Sequence, residues 1–392
     1  MGSSGAPPRK SLIVEGWRFV PHSYAIVNQW QLLALSRRPD LELKIVDLPL
    51  ISKRWKQQMG LFEPAAEECL QNLEMATPQD CADVTLRIAF PFDFSPSRSP
   101  LTAVFGTCEH QTIRKDQLPD MAAYELLQRH PPSAEIKAVT PSTWSAEGFY
   151  KVGFKPEQVI VVPHGVDVET FRPMPELRMP IRNKISIPDD SFVFLSVGAM
   201  TGNKGMDFLL RAFAEVSRTH PNAFLLLKGI DPLYKSSAFL RDTMKLLSAA
   251  DRERVKSRMM YFGDSFRLAK MAQLYQAADV YVSPYRAEGF NLPVLEAAAS
   301  GVPVICTGGG ATDDFVTEGF ARKIDSKKVS GRYEEQEVFR LDPNIDHLIE
   351  LMSSAIEDGS WRVAAASAGP AHVRANLTWD RIVDMLLRKL FS

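Results

Sequence analysis

Two glutamates, Glu288 and Glu296, stand eight positions apart in the stretch Ser283-Pro284-Tyr285-Arg286-Ala287-Glu288-Gly289-Phe290-Asn291-Leu292-Pro293-Val294-Leu295-Glu296. A strand ends at Ser283, a loop carries Glu288 and Gly289, and a helix starts near Asn291. Pro293 suits the first helical turn, where a missing N–H costs nothing. The unpaired N–H groups of that turn, with the positive end of the helix dipole, form an anion site suited to a diphosphate. Glu296 lies about one turn inside the helix and Glu288 ahead of it, so the two carboxylates address opposite ends of one ligand. Each offers two acceptor oxygens, which suit paired hydroxyls. Standing alone, Glu296 reads as a helix-start glutamate favoured by the dipole.

Other chemistries lack their residues. There is no Asp-x-Asp pair and no His/Cys cluster with metal-ligand spacing, so no metal is expected. Cys69, Cys81, Cys108 and Cys306 are scattered and read as reduced thiols of a cytosolic protein. Thr307-Gly308-Gly309-Gly310-Ala311 lacks the dinucleotide order Gly-x-Gly-x-x-Gly and reads as a turn.

The elements that hold these residues alternate as short apolar run, turn and amphipathic helix. Strands are expected at 12–16, 41–47, 86–90, 103–106, 136–139 and 159–162, with a helix over 23–37 for which Ser23 is a good N-cap. A second series begins at 192–198 and continues at 224–227, 260–262, 280–282 and 304–306, with helices over 206–218, 268–277 and 292–300. Strands separated by helical patterns imply βαβ units and a mainly parallel sheet. Between the series, 171–188 holds four prolines and no sustained periodicity, which suits an interdomain linker. A last amphipathic helix runs from Trp379 to Phe391. The 392 residues therefore read as an α/β chain of two doubly wound, Rossmann-like domains whose sheets face a cleft.

Composition sets the outer bounds. Lys and Arg total 46 against 47 Asp and Glu, which gives no reason to expect nucleic acid as a partner. Hydrophobic residues at 45% exclude global disorder. No apolar run spans a bilayer and no signal peptide is expected. Met1 to Pro8 is small and flexible and is left out of the fold. Lys53-Arg54-Trp55-Lys56 is basic and aromatic, open between peripheral membrane contact and a solvated loop.

Glu288 and Glu296, followed by Gly301-Val302-Pro303-Val304, resemble the Glu-x7-Glu motif of the retaining, GT4-type glycosyltransferases of the GT-B fold. The resemblance implies that Glu288 holds donor-sugar hydroxyls, Glu296 the ribose hydroxyls, and the backbone N–H groups of Phe290, Asn291 and Leu292 the diphosphate, with Gly289 also on the donor side. Val197-Gly198-Ala199-Met200-Thr201-Gly202-Asn203-Lys204-Gly205 is similar to the strand-to-loop segment of that family whose lysine meets the diphosphate; Lys204 and Gly198 are the matches. Ala199 stands where the family usually carries arginine, with Arg286 and Lys228 as candidate replacements. The family often places a histidine after a mid-domain strand near the reacting sugar, which here implies His110, with Glu109 beside it. His22 and Tyr24, after the first strand, are open between acceptor contact and packing; His164 reads as a packing residue at the hinge.

The resemblance implies an acceptor-binding domain over 9–175, completed by a returning helix at 377–392, and a donor-binding domain over 185–376. The expected activity is retaining transfer of a hexose from a UDP- or GDP-linked sugar to a hydroxyl acceptor (glycan, lipid-linked or small), with no cofactor and no metal. The expected location is the cytoplasm, with peripheral contact at the inner face of the membrane open. A sugar-nucleotide epimerase or phosphorylase of the same fold, and a sugar-nucleotide-binding protein without turnover, are the alternatives.

Overall fold

The computed structural model describes residues 9–52, 55–334 and 336–392; Met1 to Pro8, and Lys53 and Arg54 of the basic stretch, lie outside them. Six parallel strands form the first sheet: β1 (Lys10–Gly16), β2 (Leu41–Asp47), β3 (Val84–Ile88), β4 (Leu101–Phe105), β5 (Ile136–Thr140) and β6 (Val159–Val161), in the order β2-β1-β3-β4-β5-β6. Six more form the second: β7 (Phe192–Val197), β8 (Ala223–Lys228), β9 (Met259–Phe262), β10 (Val280–Ser283), β11 (Val304–Thr307) and β12 (Ala321–Ile324), in the order β12-β11-β10-β7-β8-β9. Most of these strands are apolar on both faces because helices cover both sides, as parallel sheets require. Val193, Phe194 and Leu195 of β7 and Leu225, Leu226 and Leu227 of β8 are all buried.

Topology already locates the site. From β7 the chain moves outward to β8 and β9, then crosses back to place β10 on the other side of β7. Ligands bind where the strand order reverses, outside the carboxyl ends of the strands. The loops at that point are those after β7 and β10, which carry Lys204 and Glu288.

Three parts differ from the expectations. The proline-rich 171–188 segment contains a helix, Arg178–Lys184, with Pro180 in its first turn, where proline is tolerated. That helix is fastened to the second domain by Arg182, which pairs with Asp279 at 2.7 Å and donates to the Ser191 and Ala277 carbonyls. Helix Ser23–Leu35 starts with His22 in the cap position, its Nδ1 accepting from the Tyr24 N–H at 3.2 Å, so Ser23 is not the cap. Finally β13 (Ser326–Tyr333) and β14 (Gln336–Pro343) form an antiparallel hairpin outside both main sheets, which the apolar pattern does not announce.

Helix Trp379–Leu390 packs on the first domain. Ile382, Val383, Leu386 and Leu390 are buried, at the spacing of one helical face. Arg37 and Arg38 pair with Asp380 and Asp384 at 2.7 and 2.9 Å, and Lys389 donates to the Val161 carbonyl. Gly165 is needed there, since a Cβ would come within 2.7 Å of the Trp379 backbone nitrogen.

Candidate active site

Between the two sheets lies a cavity of about 960 Å³. The loops after β7 and β10 are sewn together on its second-domain side. The Asn203 carbonyl accepts from the Arg286 N–H at 2.7 Å, and Asn203 Nδ2 donates to the Ala287 carbonyl at 3.1 Å. Gly205 makes this approach possible: its φ is +67°, and a Cβ would collide with the Pro284 carbonyl oxygen.

Lys204 lies across Gly198, with its Cε 3.4 Å from where a Cβ would stand, and forms an ion pair with Glu288. Glu288 is buried behind it. Burial raises the Glu288 carboxyl above the usual range, with the Lys204 charge acting the other way. Burial also opposes the charge on Lys204, but Glu288 and Glu109 together hold its pKa above that of an ordinary lysine. Glu109 arrives from the first domain, bonded across the cleft by Asn203 Nδ2 at 2.9 Å, and burial raises it too. One ammonium thus faces two carboxylates, an arrangement with room for an added cationic contact or a ligand hydroxyl.

Helix Leu292–Ala299 opens toward the cavity, with Pro293 in its first turn and Asn291 before it in the left-handed region at φ +80°. Asn291 is held there by its Nδ2–H to Ser283 Oγ at 2.9 Å. Glu296 lines the cavity, and its Oε2 accepts from the Tyr275 hydroxyl at 2.7 Å. Burial raises the Glu296 carboxyl to about 7, against the opposing pull of that hydrogen bond.

The expected site residues do not all reach the cavity: Glu288 and Asn291 are buried and do not line it, Glu288 standing behind Lys204. Glu109, His110, Gly198, Lys204, Leu292 and Glu296 line the cavity. Gly289 and Phe290 instead face the first domain: the Gly289 carbonyl accepts from Ser142 Oγ at 2.7 Å, and Phe290 stacks on Phe315 at 4.5 Å and meets His164 edge-on at 4.9 Å. His22 is enclosed by Trp17, Trp55 and Tyr24, with Tyr234 at 6.4 Å, and burial lowers its pKa to about 4. Tyr24 is buried and bonds Thr107 Oγ1 at 3.0 Å. Neither His22 nor Tyr24 lines the cavity. Trp55, from the basic stretch, packs edge-on against Trp17 at 5.5 Å.

His110 closes one end of the cavity. Its pKa is lowered by burial and by the charges of Arg114 and Arg340, so the ring is neutral at pH 7. The two candidates for the missing arginine are placed differently. Arg286 is taken up by Asp207, at 2.5 and 2.6 Å. Lys228, at the carboxyl end of β8, lines the cavity, is buried, and has no ion-pair partner among the described residues. Its carbonyl accepts from the Gly198 N–H at 2.9 Å, while its ammonium donates to the Gly229 carbonyl and lies 4.8 Å from the centre of the Phe266 ring. Burial lowers Lys228 to about 8, with Asp264 pulling the other way and Lys270 adding to the fall. Asn203, Tyr275, Arg340 and Asp342 were absent from the sequence expectations; only Asn203, adjacent to Lys204, carried a positional signal.

With this geometry in view, comparison supplies the class. Residues 178–369 match the model of the family described as Glycosyl transferases group 1. The fold is GT-B. Anabaena HepE, solved in complex with UDP and glucose, superposes with a TM-score of 0.68 at 14% identity, over 98% of this chain and 100% of that one. Among curated relatives, a GDP-mannose-dependent monoacylated alpha-(1-6)-phosphatidylinositol monomannoside mannosyltransferase of Corynebacterium glutamicum is 28% identical over 59% of this chain and 55% of its own length. D-inositol 3-phosphate glycosyltransferase 1 of Catenulispora acidiphila is 30% identical over 60% of this chain and 52% of its own. The chain thus spans about half the length of these relatives.

Proposed function

We propose that this protein is a glycosyltransferase that moves a hexosyl group from a UDP- or GDP-linked sugar to a hydroxyl acceptor, with retention at the anomeric carbon and without a metal. The observation that carries the proposal is the placement of Lys204, paired with Glu288 and laid over Gly198 at the switch point of the second sheet, on the same cavity as Glu296. The match of residues 178–369 to the glycosyltransferase family and the sugar nucleotides named for similar proteins support it.

The diphosphate sits against the start of helix Leu292–Ala299, where helix N–H groups and the dipole favour an anion. Its leaving charge is met by Lys204 and Lys228, two ammonium groups placed before the charge develops. Lys228 thereby takes the place that Ala199 leaves without a cation. Glu296 accepts from the ribose hydroxyls, and Glu288 uses the lone pairs that Lys204 leaves free to hold donor-sugar hydroxyls. Glu109 and His110, on the first-domain side, border the acceptor. His110, neutral at pH 7, takes or gives a hydrogen bond there rather than adding charge. The protein acts in the cytoplasm; among the described residues no helix is long and apolar enough to cross a membrane.

Calorimetry with UDP and GDP, followed by product analysis with UDP-glucose and GDP-mannose, tests the proposal. Binding of one nucleoside diphosphate, lost in Lys204→Met, and transfer product of unchanged anomeric configuration are expected. Absence of binding to both nucleotides in the wild type refutes it. An epimerised donor or a sugar phosphate in place of transfer product moves the chain to another reaction of this fold.

A further inference from the structure

Hairpin β13–β14 reaches from the second domain onto the first, and β14 bonds to both within three residues. The Leu341 N–H donates to the Arg286 carbonyl at 2.7 Å, and the Phe339 N–H donates to the His110 carbonyl at 3.0 Å. Gln336 extends the attachment. It accepts from the Lys115 N–H at 3.3 Å and donates to the Ile113 carbonyl and the Tyr124 hydroxyl at 3.0 and 2.9 Å. The Lys151 ammonium lies 3.7 Å from the centre of the Phe339 ring. The hairpin is therefore held in place on both sides of the cleft.

Alternation along a strand puts Arg340 and Asp342 on the face opposite buried Leu341. Both line the cavity. Neither side chain has a hydrogen-bond or ion-pair partner among the described residues. The hairpin's two backbone bonds set them between His110 and Arg286, and His110 feels the charges of both Arg340 and Arg114. Arg114 is engaged by Asp116 at 2.9 Å, which leaves Arg340 and Asp342 as the free pair of opposite charges.

Resting on the glycosyltransferase assignment above, we propose that the acceptor is a polyhydroxylated molecule, a sugar or cyclitol, and that Arg340 and Asp342 on the hairpin hold its hydroxyls. A hydroxyl both donates and accepts, so it satisfies a carboxylate and a guanidinium alike. Two residues apart on a strand, these groups stand about 7 Å from each other at the backbone, a span that matches hydroxyls on opposite sides of one six-membered ring. Their charges cancel, so the wall does not select an anion. Among the described residues the hairpin contributes no apolar side chain to the cavity, so it does not select an alkyl chain.

The test uses the full chain with UDP-glucose and GDP-mannose as donors. Free glucose, free myo-inositol and a glycolipid in mixed micelles form the polyol arms, and the last separates a lipid headgroup from a free polyol. Dodecanol and a serine peptide are the other hydroxyl acceptors. Transfer to a polyol arm is expected, with Arg340→Ala and Asp342→Ala each raising acceptor KM about tenfold or more, the loss of a charge-assisted hydrogen bond. The Kd for the nucleoside diphosphate stays within about twofold of wild type, because these residues touch the acceptor only. Wild-type acceptor KM in both variants overturns the proposal, as does transfer to dodecanol or peptide in place of every polyol. Nucleotide binding with transfer to no polyol overturns this proposal alone, whereas absence of nucleotide binding overturns the glycosyltransferase assignment with it.

Discussion

Replacing Glu296 by glutamine sets stability and binding in opposite directions. Burial raises this carboxyl from 4.5 to about 7 in the folded protein. A folded acid with a raised pKa costs nothing below its unfolded value of 4.5, costs more as pH climbs toward 7, and carries the full cost above that. At 1.36 kcal/mol per pH unit the ceiling is about 3 kcal/mol, and partial exposure to the cavity reduces it to roughly 1–2 kcal/mol. Glutamine keeps an oxygen for the Tyr275 hydroxyl and carries no charge, so the cost disappears. For a domain of this size the transition should rise by about 2–8 °C at pH 8 and hardly at all at pH 5. The same change weakens the nucleoside diphosphate about tenfold, since hydroxyls bond a carboxylate more strongly than an amide. Thermal unfolding at the two pH values and calorimetry with UDP and GDP at pH 8 read both effects. A variant with no pH-dependent gain in stability refutes the burial argument, and unchanged affinity refutes the ribose contact.

Lys228→Met should weaken nucleoside diphosphate binding about 10- to 100-fold by calorimetry, the worth of one charge-assisted contact to a phosphate. Because burial lowers Lys228 to about 8, wild-type affinity should also fall as pH rises past 8, and the variant should lose that dependence. Gly205→Ala forces a side chain into a left-handed position against the Pro284 carbonyl and should cost at least about 2 kcal/mol in denaturant unfolding. Gln336→Ala removes three hydrogen bonds between the hairpin and the first domain. Hydrogen exchange at residues 336–342 and 109–115 should then quicken, with exchange in β7 and β8 unchanged.

The sequence exposes the two sheets because parallel strands buried on both faces are uninterrupted apolar runs, as in Phe192-Val193-Phe194-Leu195. It exposes the loop-helix arrangement of Glu288 and Glu296 because both lie on one stretch of chain. What it hides depends on contacts between distant residues. The hydroxyl that holds Glu296 belongs to Tyr275, 21 positions earlier, and nothing local marks that tyrosine as polar rather than core. The hairpin is charged on both faces of β13, as in Lys327-Lys328, so no apolar alternation betrays it. Its partner is the first domain, more than 200 positions away. Helix Arg178–Lys184 is masked by prolines that fall before it and in its first turn. In sequence His22 is open between acceptor contact and packing; in space Trp17 and Trp55 close around it.

The central claim is that a nucleoside diphosphate rests between Lys204, Lys228 and the start of helix Leu292–Ala299, and a crystal structure with UDP or GDP bound tests it most directly. The account predicts phosphate oxygens within hydrogen-bond reach of Lys204 and Lys228, and ribose hydroxyls on the Glu296 carboxylate. A nucleotide bound elsewhere, or one that leaves Glu296 without a ribose contact, would contradict it.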